Sequence, residues 1–373
     1  LVAYRGDQFP AQYQSDVFVP EVAGNVVAQF AITEEGMALT ASQRLYDDEK
    51  WGKRDFLGST DERFRPVDAM NGPDGALYII DMYRGIVQDV VFMTDELREQ
   101  VFQRGLETPI GMGRIWRVRH TEGKAGRGFP ELAAASNDEL IAALANPNGW
   151  VRDTAQRLLL ARNGDLTAVL SALALSATDN DAQTLAALHA IWTLQGRGEM
   201  QRDLVMALAG SGRLPLQLHA LRAGHALLQV SDLLQLHNAL PARDEALSMQ
   251  LAFAMGSHAT DANVRSALAQ LLTTQLTSPY VRQAVVRAVS GQELVFLQEL
   301  LASAQLEESS DGAQNALAAL AGGAYRSLRG DLTSAETANP QLLELLALAA
   351  SRTGEFAWQQ LAMLGGMEDV AIS

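Results

Sequence analysis

One pattern recurs beyond residue 131: a turn, then Val-Arg, then a stripe of small apolar residues. Its copies open with Asn148-Gly-Trp-Val-Arg152, Asp261-Ala-Asn-Val-Arg265 and Ser278-Pro-Tyr-Val-Arg282. The apolar stripe gives each helix one face to bury. Helix pairs that recur at roughly 32–40 residues are typical of a HEAT-like α-solenoid. The pattern predicts about seven such pairs between residues 136 and 367.

The first 120 residues are instead rich in Gly, Pro and aromatic side chains, and their pattern predicts short antiparallel strands. We expect strands over residues 16–21, 26–32, 37–42, 67–70, 76–80 and 113–118, a helix within 94–105, and an irregular polar insertion over 45–62. A Gly-rich polar stretch follows. The resulting prediction is a multidomain β plus α chain, with β-propeller blades over 1–120, a linker over 121–131 and the α-solenoid over 132–373.

The strand region contains an internal repeat. Residues 16–21 form an apolar strand that ends in Glu21 and is followed by a Gly-led strand, and residues 76–81 do the same with Asp81. The second copy follows the tight turn Asn71-Gly-Pro-Asp-Gly75 and carries a longer insertion. Repeated short antiparallel strands are typical of propeller blades. About two blades cannot close a ring, so we expect the chain to be part of a longer protein with further blades upstream.

The charged residues at these strand ends allow two interpretations. Glu21 and Asp81 could point toward one end of the propeller axis and bind a cation or a polar ligand, or each could cap a turn or pair with an arginine such as Arg84. Arg65 and Arg84 could hold an anionic cofactor group through a bidentate contact, or they could form structural ion pairs between blades. Asp74 lies in the turn, where Asp side chains usually bond to backbone N–H groups.

Composition disfavours several classes of protein. The net charge of -15 argues against a nucleic acid or an anionic membrane as the main partner. The chain has no Cys, which excludes disulfides, thiolate metal sites and covalent haem attachment within it. No apolar run is long enough to predict a membrane span, and no metalloprotease, P-loop or nucleophile-elbow motif is present.

Five segments, taken in order, resemble the membrane-bound dehydrogenase family, whose propeller is similar to soluble pyrroloquinoline-quinone sugar dehydrogenases. In that family the propeller is followed by HEAT-like repeats and often by a c-type cytochrome domain. The segments are Tyr4-Arg-Gly-Asp-Gln-Phe-Pro10, Val17-Phe-Val-Pro-Glu-Val-Ala-Gly-Asn25, Phe56-Leu-Gly-Ser-Thr-Asp-Glu-Arg-Phe-Arg-Pro-Val67, Gly72-Pro-Asp-Gly-Ala-Leu-Tyr-Ile-Ile-Asp-Met-Tyr-Arg-Gly85 and Gly113-Arg-Ile-Trp-Arg-Val118.

The resemblance implies the C-terminal fragment of a periplasmic quinoprotein-like dehydrogenase that oxidises a sugar or an alcohol. Pyrroloquinoline quinone and calcium would be cofactors of the full-length parent, and its partners would be upstream blades and a downstream cytochrome-like domain. The candidate cofactor-binding residues at the cavity rim are Arg65, Asp68, Asp81 and Arg84, and the candidate metal ligands are Glu21 and Asp81; no catalytic residue is assigned. The alternative is a non-catalytic propeller–solenoid that binds carbohydrate or protein.

Overall fold

The chain divides into a strand-rich beginning and a helical remainder, as predicted. The computed structural model describes residues 1–123, 129–178, 180–240, 244–303, 306, 308–329 and 339–372. Part of the predicted linker, residues 124–128, lies outside the described residues. The chain forms two compact units, Leu1–Thr193 and Leu194–Ser373. The domain boundary expected at 121–131 remains a prediction.

Ten strands are present in the described residues, and six of them correspond to the predicted strands. The strands are β1 (Val2–Ala3), β2 (Val17–Glu21), β3 (Val26–Glu35), β4 (Ala38–Arg44), β5 (Tyr46–Asp48), β6 (Gly52–Arg54), β7 (Leu57–Gly58), β8 (Pro66–Asn71), β9 (Leu77–Asp81) and β10 (Arg114–Val118). The segment 45–62 was expected to be irregular, but it contains β5, β6 and β7. The polar composition of this segment gives no strand signal. Asp48 accepts hydrogen bonds from the backbone N–H groups of Lys50 and Trp51 and so forms the turn between β5 and β6.

These strands form antiparallel sheets whose register reflects the internal repeat. One sheet has the order β1-β2-β3-β4 with β7 also paired to β3, another has the order β10-β9-β8, and β5 pairs with β6. Glu21, the last residue of β2, pairs with Val26 at the start of β3. Asp81, the last residue of β9, pairs with Arg114 at the start of β10. The insertion between β9 and β10 carries helix α1 (Asp95–Gln103), which Thr94 caps through its side chain.

Aromatic side chains form the core between the first two sheets. The Tyr4 ring stacks on Phe9 at 4.5 Å between centroids, and Phe18 packs edge-on against both rings. The Tyr4 hydroxyl donates to the Gly75 carbonyl at 2.6 Å and accepts from the backbone N–H of Phe9 at 2.8 Å. Burial raises the pKa of Tyr4 to about 12, so the hydroxyl keeps its proton and its donor role. Tyr4 therefore links the first strand to the turn at residues 71–75.

That turn also binds the helical segment of the same unit. Asn148 is almost fully buried and donates from its amide to the carbonyls of Gly72 and Pro73, at 3.0 and 3.1 Å. Its Oδ1 accepts from the backbone N–H of Trp150 and so caps the helix. Gly75 has φ +81°, and an added Cβ would meet the Asp7 side chain, so glycine is required there.

The remaining residues are helical. The helices are α2 (Asn137–Ala143), α3 (Gly149–Ala161), α4 (Thr167–Leu175), α5 (Asp181–Arg197), α6 (Arg202–Ala209), α7 (Leu214–Gly224), α8 (Val230–Ala239), α9 (Glu245–Met255), α10 (Ala262–Thr274), α11 (Pro279–Ala288), α12 (Glu293–Ala302), α13 (Asp311–Leu328), α14 (Pro340–Ala350) and α15 (Ala357–Ile372). In the second unit, a continuous core of Leu, Val and Ala runs from α6 to α15. Asp261 and Ser278 cap α10 and α11, because their side chains accept from backbone N–H groups of those helices.

The arginine of the Val-Arg pattern has one recurring set of contacts. Arg152, Arg265 and Arg282 each donate to a carbonyl six residues earlier in the chain, at 2.6, 3.1 and 3.2 Å. Arg265 also forms a bidentate pair with Glu299, at 2.7 and 2.6 Å. Arg152 donates from Nε to His189 Nε2 at 3.3 Å instead.

His189 is held in its neutral form by these contacts. Its Nδ1 bonds to Gln156 Oε1 at 2.6 Å, and Nε2 accepts from the Arg152 guanidinium. Burial, followed by repulsion from the Arg152 charge, lowers the pKa of His189 from 6.5 to about 4. Because the unfolded chain binds a proton at higher pH than the folded chain does, stability is fully present above pH 6.5 and falls as the pH decreases toward 4.

We therefore expect the free energy of unfolding to decrease by up to about 3 kcal/mol between pH 7 and pH 4.5 through this group. Urea unfolding at pH 7.0, 6.0, 5.0 and 4.5 measures this dependence. The variant His189→Gln keeps the bond types but does not titrate, so its free energy of unfolding should fall less than that of the parent over the same window, by the part that His189 contributes. Parallel curves for the two proteins would contradict the assignment.

Candidate functional site

Asp81 is the centre of the most connected polar cluster near the predicted site. Its side chain is 0% exposed at the end of β9. Oδ1 accepts from the backbone N–H groups of Arg65 and Tyr83, at 2.8 and 2.9 Å. Oδ2 accepts from Arg114 Nε at 2.9 Å and from Trp116 Nε1 at 3.0 Å. Four donors from three separate segments therefore converge on one buried carboxylate.

The hydrogen bonds keep this carboxylate ionised despite its burial. Burial alone would raise the pKa of Asp81, but the bonds from Arg65, Arg114, Trp116 and Tyr83 outweigh it, and the pKa lies below its ordinary value. The same contacts raise the pKa of Arg114. A buried charge of this kind is stable only when it is fully paired, as it is here.

Arg114 lies between two aromatic rings. The guanidinium carbon is 3.8 Å from the ring centroid of Tyr83 and 4.7 Å from that of Trp116. Asp61 provides a second, longer ion pair at 3.6 Å. Tyr83 has φ +51°, a left-handed conformation that is uncommon for a residue with a side chain. The bond from the Tyr83 N–H to Asp81 and the contact of its ring with Arg114 hold this conformation in place.

Arg65 connects the two equivalent strand ends. Its Nε donates to the carbonyl of Arg84 at 2.9 Å and its Nη2 to that of Gly85 at 2.8 Å. Its Nη1 donates to the carbonyl of Val22, just after β2, at 2.8 Å. The guanidinium therefore joins the turn that follows β2 to the loop that follows β9, and its donors are directed at backbone carbonyls.

The other predicted site residues lie apart from Asp81. Glu21 caps its own turn by accepting from the backbone N–H groups of Ala23, at 3.1 Å, and Gly24. Asp68 is exposed on β8 and accepts from the N–H of Ala69 at 2.8 Å. The Arg84 side chain is exposed, while its carbonyl accepts from Arg65. The structure thus brings Arg65, Asp81 and the Arg84 backbone together and leaves Glu21 and Asp68 at separate positions.

These contacts bear on whether the residues fit a quinone or a calcium ion. In this conformation the lone pairs of Asp81 and the donors of Arg65 are used within the protein, so these two groups do not fit as ligands. Glu21, Asp68 and Arg84 are the exposed members of the predicted set. The role of Asp68 and Arg84 at a cofactor rim, and of Glu21 as a metal ligand, remains a prediction.

The described residues contain neither a metal-binding cluster nor a membrane-spanning helix. No group of three or more His, Asp or Glu side chains within them is arranged to hold a metal ion. Among the described helices, none is both long and apolar enough to cross a membrane.

Sequence reasoning missed a polar cavity of about 400 Å³ beside β3 and β4. Buried Gln29 donates to Asp16 at 2.5 Å and accepts from the Tyr46 hydroxyl, and Arg44 pairs with Asp16 at 2.8 Å. Burial raises the pKa of Tyr46 to about 12. Tyr13 and exposed amides complete the lining. The available signal was Gln29 itself, a polar residue in an otherwise apolar strand.

Comparison with known proteins gives a match for the strand-rich segment. Residues 1–122 match a family described as a domain of unknown function, DUF7133. No curated protein and no solved structure matches the chain. The matched range contains β1 to β10 and α1, and it ends before α2.

Replacing Asp81 with Asn tests whether this cluster stabilises the fold. We expect Asp81→Asn to lower the free energy of unfolding by about 3 kcal/mol, because Arg114 loses its buried counter-ion and the new amide group meets donors. The matched control is Asp95→Asn, which removes an exposed pair with Arg98 and should change stability by about 0.5 kcal/mol or less. Urea unfolding followed by tryptophan fluorescence measures both; similar values for the two variants would contradict the assignment.

Proposed function

We propose that this chain is the scaffold part of a periplasmic quinoprotein-like dehydrogenase that oxidises a sugar or an alcohol. In this proposal the sheets are blades of a larger propeller, and the helices form a HEAT-like solenoid directed toward an electron-transfer domain. Pyrroloquinoline quinone and calcium are bound mainly by residues outside this chain. The ordered family-like motifs between residues 4 and 118 support the class of protein.

The observation that carries the scaffold role is the internal use of the charged motif residues. Asp81 accepts hydrogen bonds from four donors in three segments, and the Arg65 guanidinium donates to carbonyls in two segments, so neither group faces open space. A group that must bind substrate or cofactor needs free donors or acceptors directed at the ligand. Asp68 and Arg84 remain as the residues of this chain that could face a cofactor from the rim.

Apolar residues on the outer face of the β8–β10 sheet support the propeller interpretation. Met70, Tyr78 and Ile80 share this face with Ile115, since the register pairs Met70 with Tyr78 and Ile80 with Ile115. Met70 is 47% exposed and Ile115 is 67% exposed. The opposite face is buried against the aromatic core. A sheet with two apolar faces is typical of a blade that packs between two neighbours.

Loading with cofactor tests this proposal. The protein that contains this chain together with its upstream blades, loaded with pyrroloquinoline quinone and Ca²⁺, should reduce a redox dye with a sugar or an alcohol as donor. The 373-residue chain treated in the same way should retain no quinone and reduce no dye. Absence of turnover by the loaded longer protein across a panel of sugars and alcohols would overturn the dehydrogenase assignment, and turnover by the chain alone would overturn the scaffold role.

A second candidate function, carbohydrate binding without catalysis, is favoured by the polar cavity beside β3 and β4. Its lining combines Tyr13, Tyr46 and the amides of Gln12, Gln29 and Gln43. The one guanidinium, Arg44, is neutralised by Asp16. Phenols and amides offer donors, acceptors and flat apolar faces without net charge, which suits a neutral, hydroxyl-rich ligand.

Calorimetric titration with neutral mono- and disaccharides tests the carbohydrate-binding function. We expect a millimolar or tighter affinity for at least one sugar and about a fivefold loss in Gln43→Ala, since one good hydrogen bond is worth about 1 kcal/mol. Gln103→Ala, on the exposed surface of α1, is the matched control and should bind like the parent. No heat of binding with any sugar would rule the function out.

A further inference from the structure

The final strand of the β10-β9-β8 sheet has an unpaired edge. β10 pairs with β9 from Arg114↔Asp81 to Val118↔Leu77. Over the ranges that the structure describes, no strand pairs with the other side of β10. Its outward N–H and C=O groups are therefore a template for another strand. Five residues give a template roughly 16 Å long, at about 3.3 Å per residue.

A groove of about 400 Å³ runs along this edge. One wall is the backbone edge from Trp116 to Arg119, and the opposite wall is residues 57–59 at the end of β7. β7 pairs with β3 through Leu57 and Gly58, and among the described strands it has no second neighbour. Buried Phe64 completes the lining, which is mainly apolar. Successive residues 116–119 all line the groove, so it follows the strand edge and not one face of the sheet.

Positive charge at the end of this groove gives it an electrostatic preference. Arg117 is neutralised by Asp74. Arg119 is exposed, and among the described residues no carboxylate pairs with it. On a chain with net charge -15, an exposed guanidinium beside an apolar groove favours an occupant that carries a carboxylate at that end.

We propose that this groove binds an extended segment of a partner protein, which adds a strand to β10. The segment has apolar side chains at alternate positions that enter the groove beside Trp116 and Val118, and an Asp or Glu that pairs with Arg119. Main-chain hydrogen bonds to β10 supply affinity, and the alternate side chains supply specificity. This inference is independent of the oxidoreductase proposal, since it rests on the strand edge, the groove and the charge.

An array of seven-residue peptides tests the proposal. The probes carry Val, Leu or Phe at alternate positions and Asp, Glu or Thr between them, and binding to the whole chain is measured by fluorescence anisotropy. Hydrogen–deuterium exchange then locates the site. We expect at least one micromolar binder, with exchange of the amides of residues 114–119 slowed at least tenfold in its presence.

Matched variants separate strand addition from simple adhesion. The best peptide, N-methylated at the alternate amides that would face β10, keeps its side chains and should bind at least tenfold more weakly. Arg119→Glu should weaken binding about fivefold or more, whereas Arg98→Glu, an exposed charge on α1, should not. Absence of any binder, or protection away from residues 114–119, would overturn the proposal. So would protection of β10 by dimerisation of the chain without peptide.

Discussion

The hydrogen bonds of the buried Asp81 carboxylate are the interactions on which the strand-rich segment depends most. A buried negative charge is costly unless every lone pair has a partner, so its presence fixes the positions of the groups around it. Two of those groups are backbone N–H groups, from Arg65 and Tyr83, and two are side chains of β10. Asp81 therefore sets the path of the chain before β8, after β9 and at the start of β10.

A second junction joins sheet and helix within the first unit. Asn148 caps the helix, and its side-chain amide also donates hydrogen bonds to the carbonyls of residues 72 and 73 in the turn. Arg5 adds a bidentate pair with Asp153 of α3, at 2.9 and 3.0 Å, and its carbonyl accepts from the N–H of Gly149. Neutral and charged hydrogen bonds thus hold the first turn of α3 against Arg5 and against the turn at residues 72–73. The motif segments around residues 4–10 and 71–75 therefore have a structural role.

Sequence reasoning succeeded where the determinants are local. The cap at Thr94 depends on residues within one turn of the helix, and the predicted strands follow turn residues and apolar runs. The two copies of the repeat also have similar pairing, since Asp81 pairs with Arg114, just after Gly113, and Glu21 pairs with Val26, two residues after Gly24.

The hydrogen bonds of the candidate site could not be predicted from the sequence, and the reasons are physical. Arg65 binds backbone carbonyls, which every residue carries, so no partner residue marks the bond in the sequence. Trp116 reaches Asp81 from 35 positions away, and Gln29 pairs with Asp16 and Tyr46 across strands. Long-range hydrogen bonds of this kind follow from strand register, which the sequence pattern constrains only loosely.

The bond between Asp81 and Arg114 also closes the loop that carries α1. Both ends of residues 82–113 are held by adjacent positions of one strand pair. The entropy of closing a loop rises slowly with length, by about 0.6 kcal/mol for each doubling. Beyond Gly85, the insertion can therefore be lengthened or shortened at small entropic cost, and it offers a graft point for a reporter or an epitope that leaves both sheets intact.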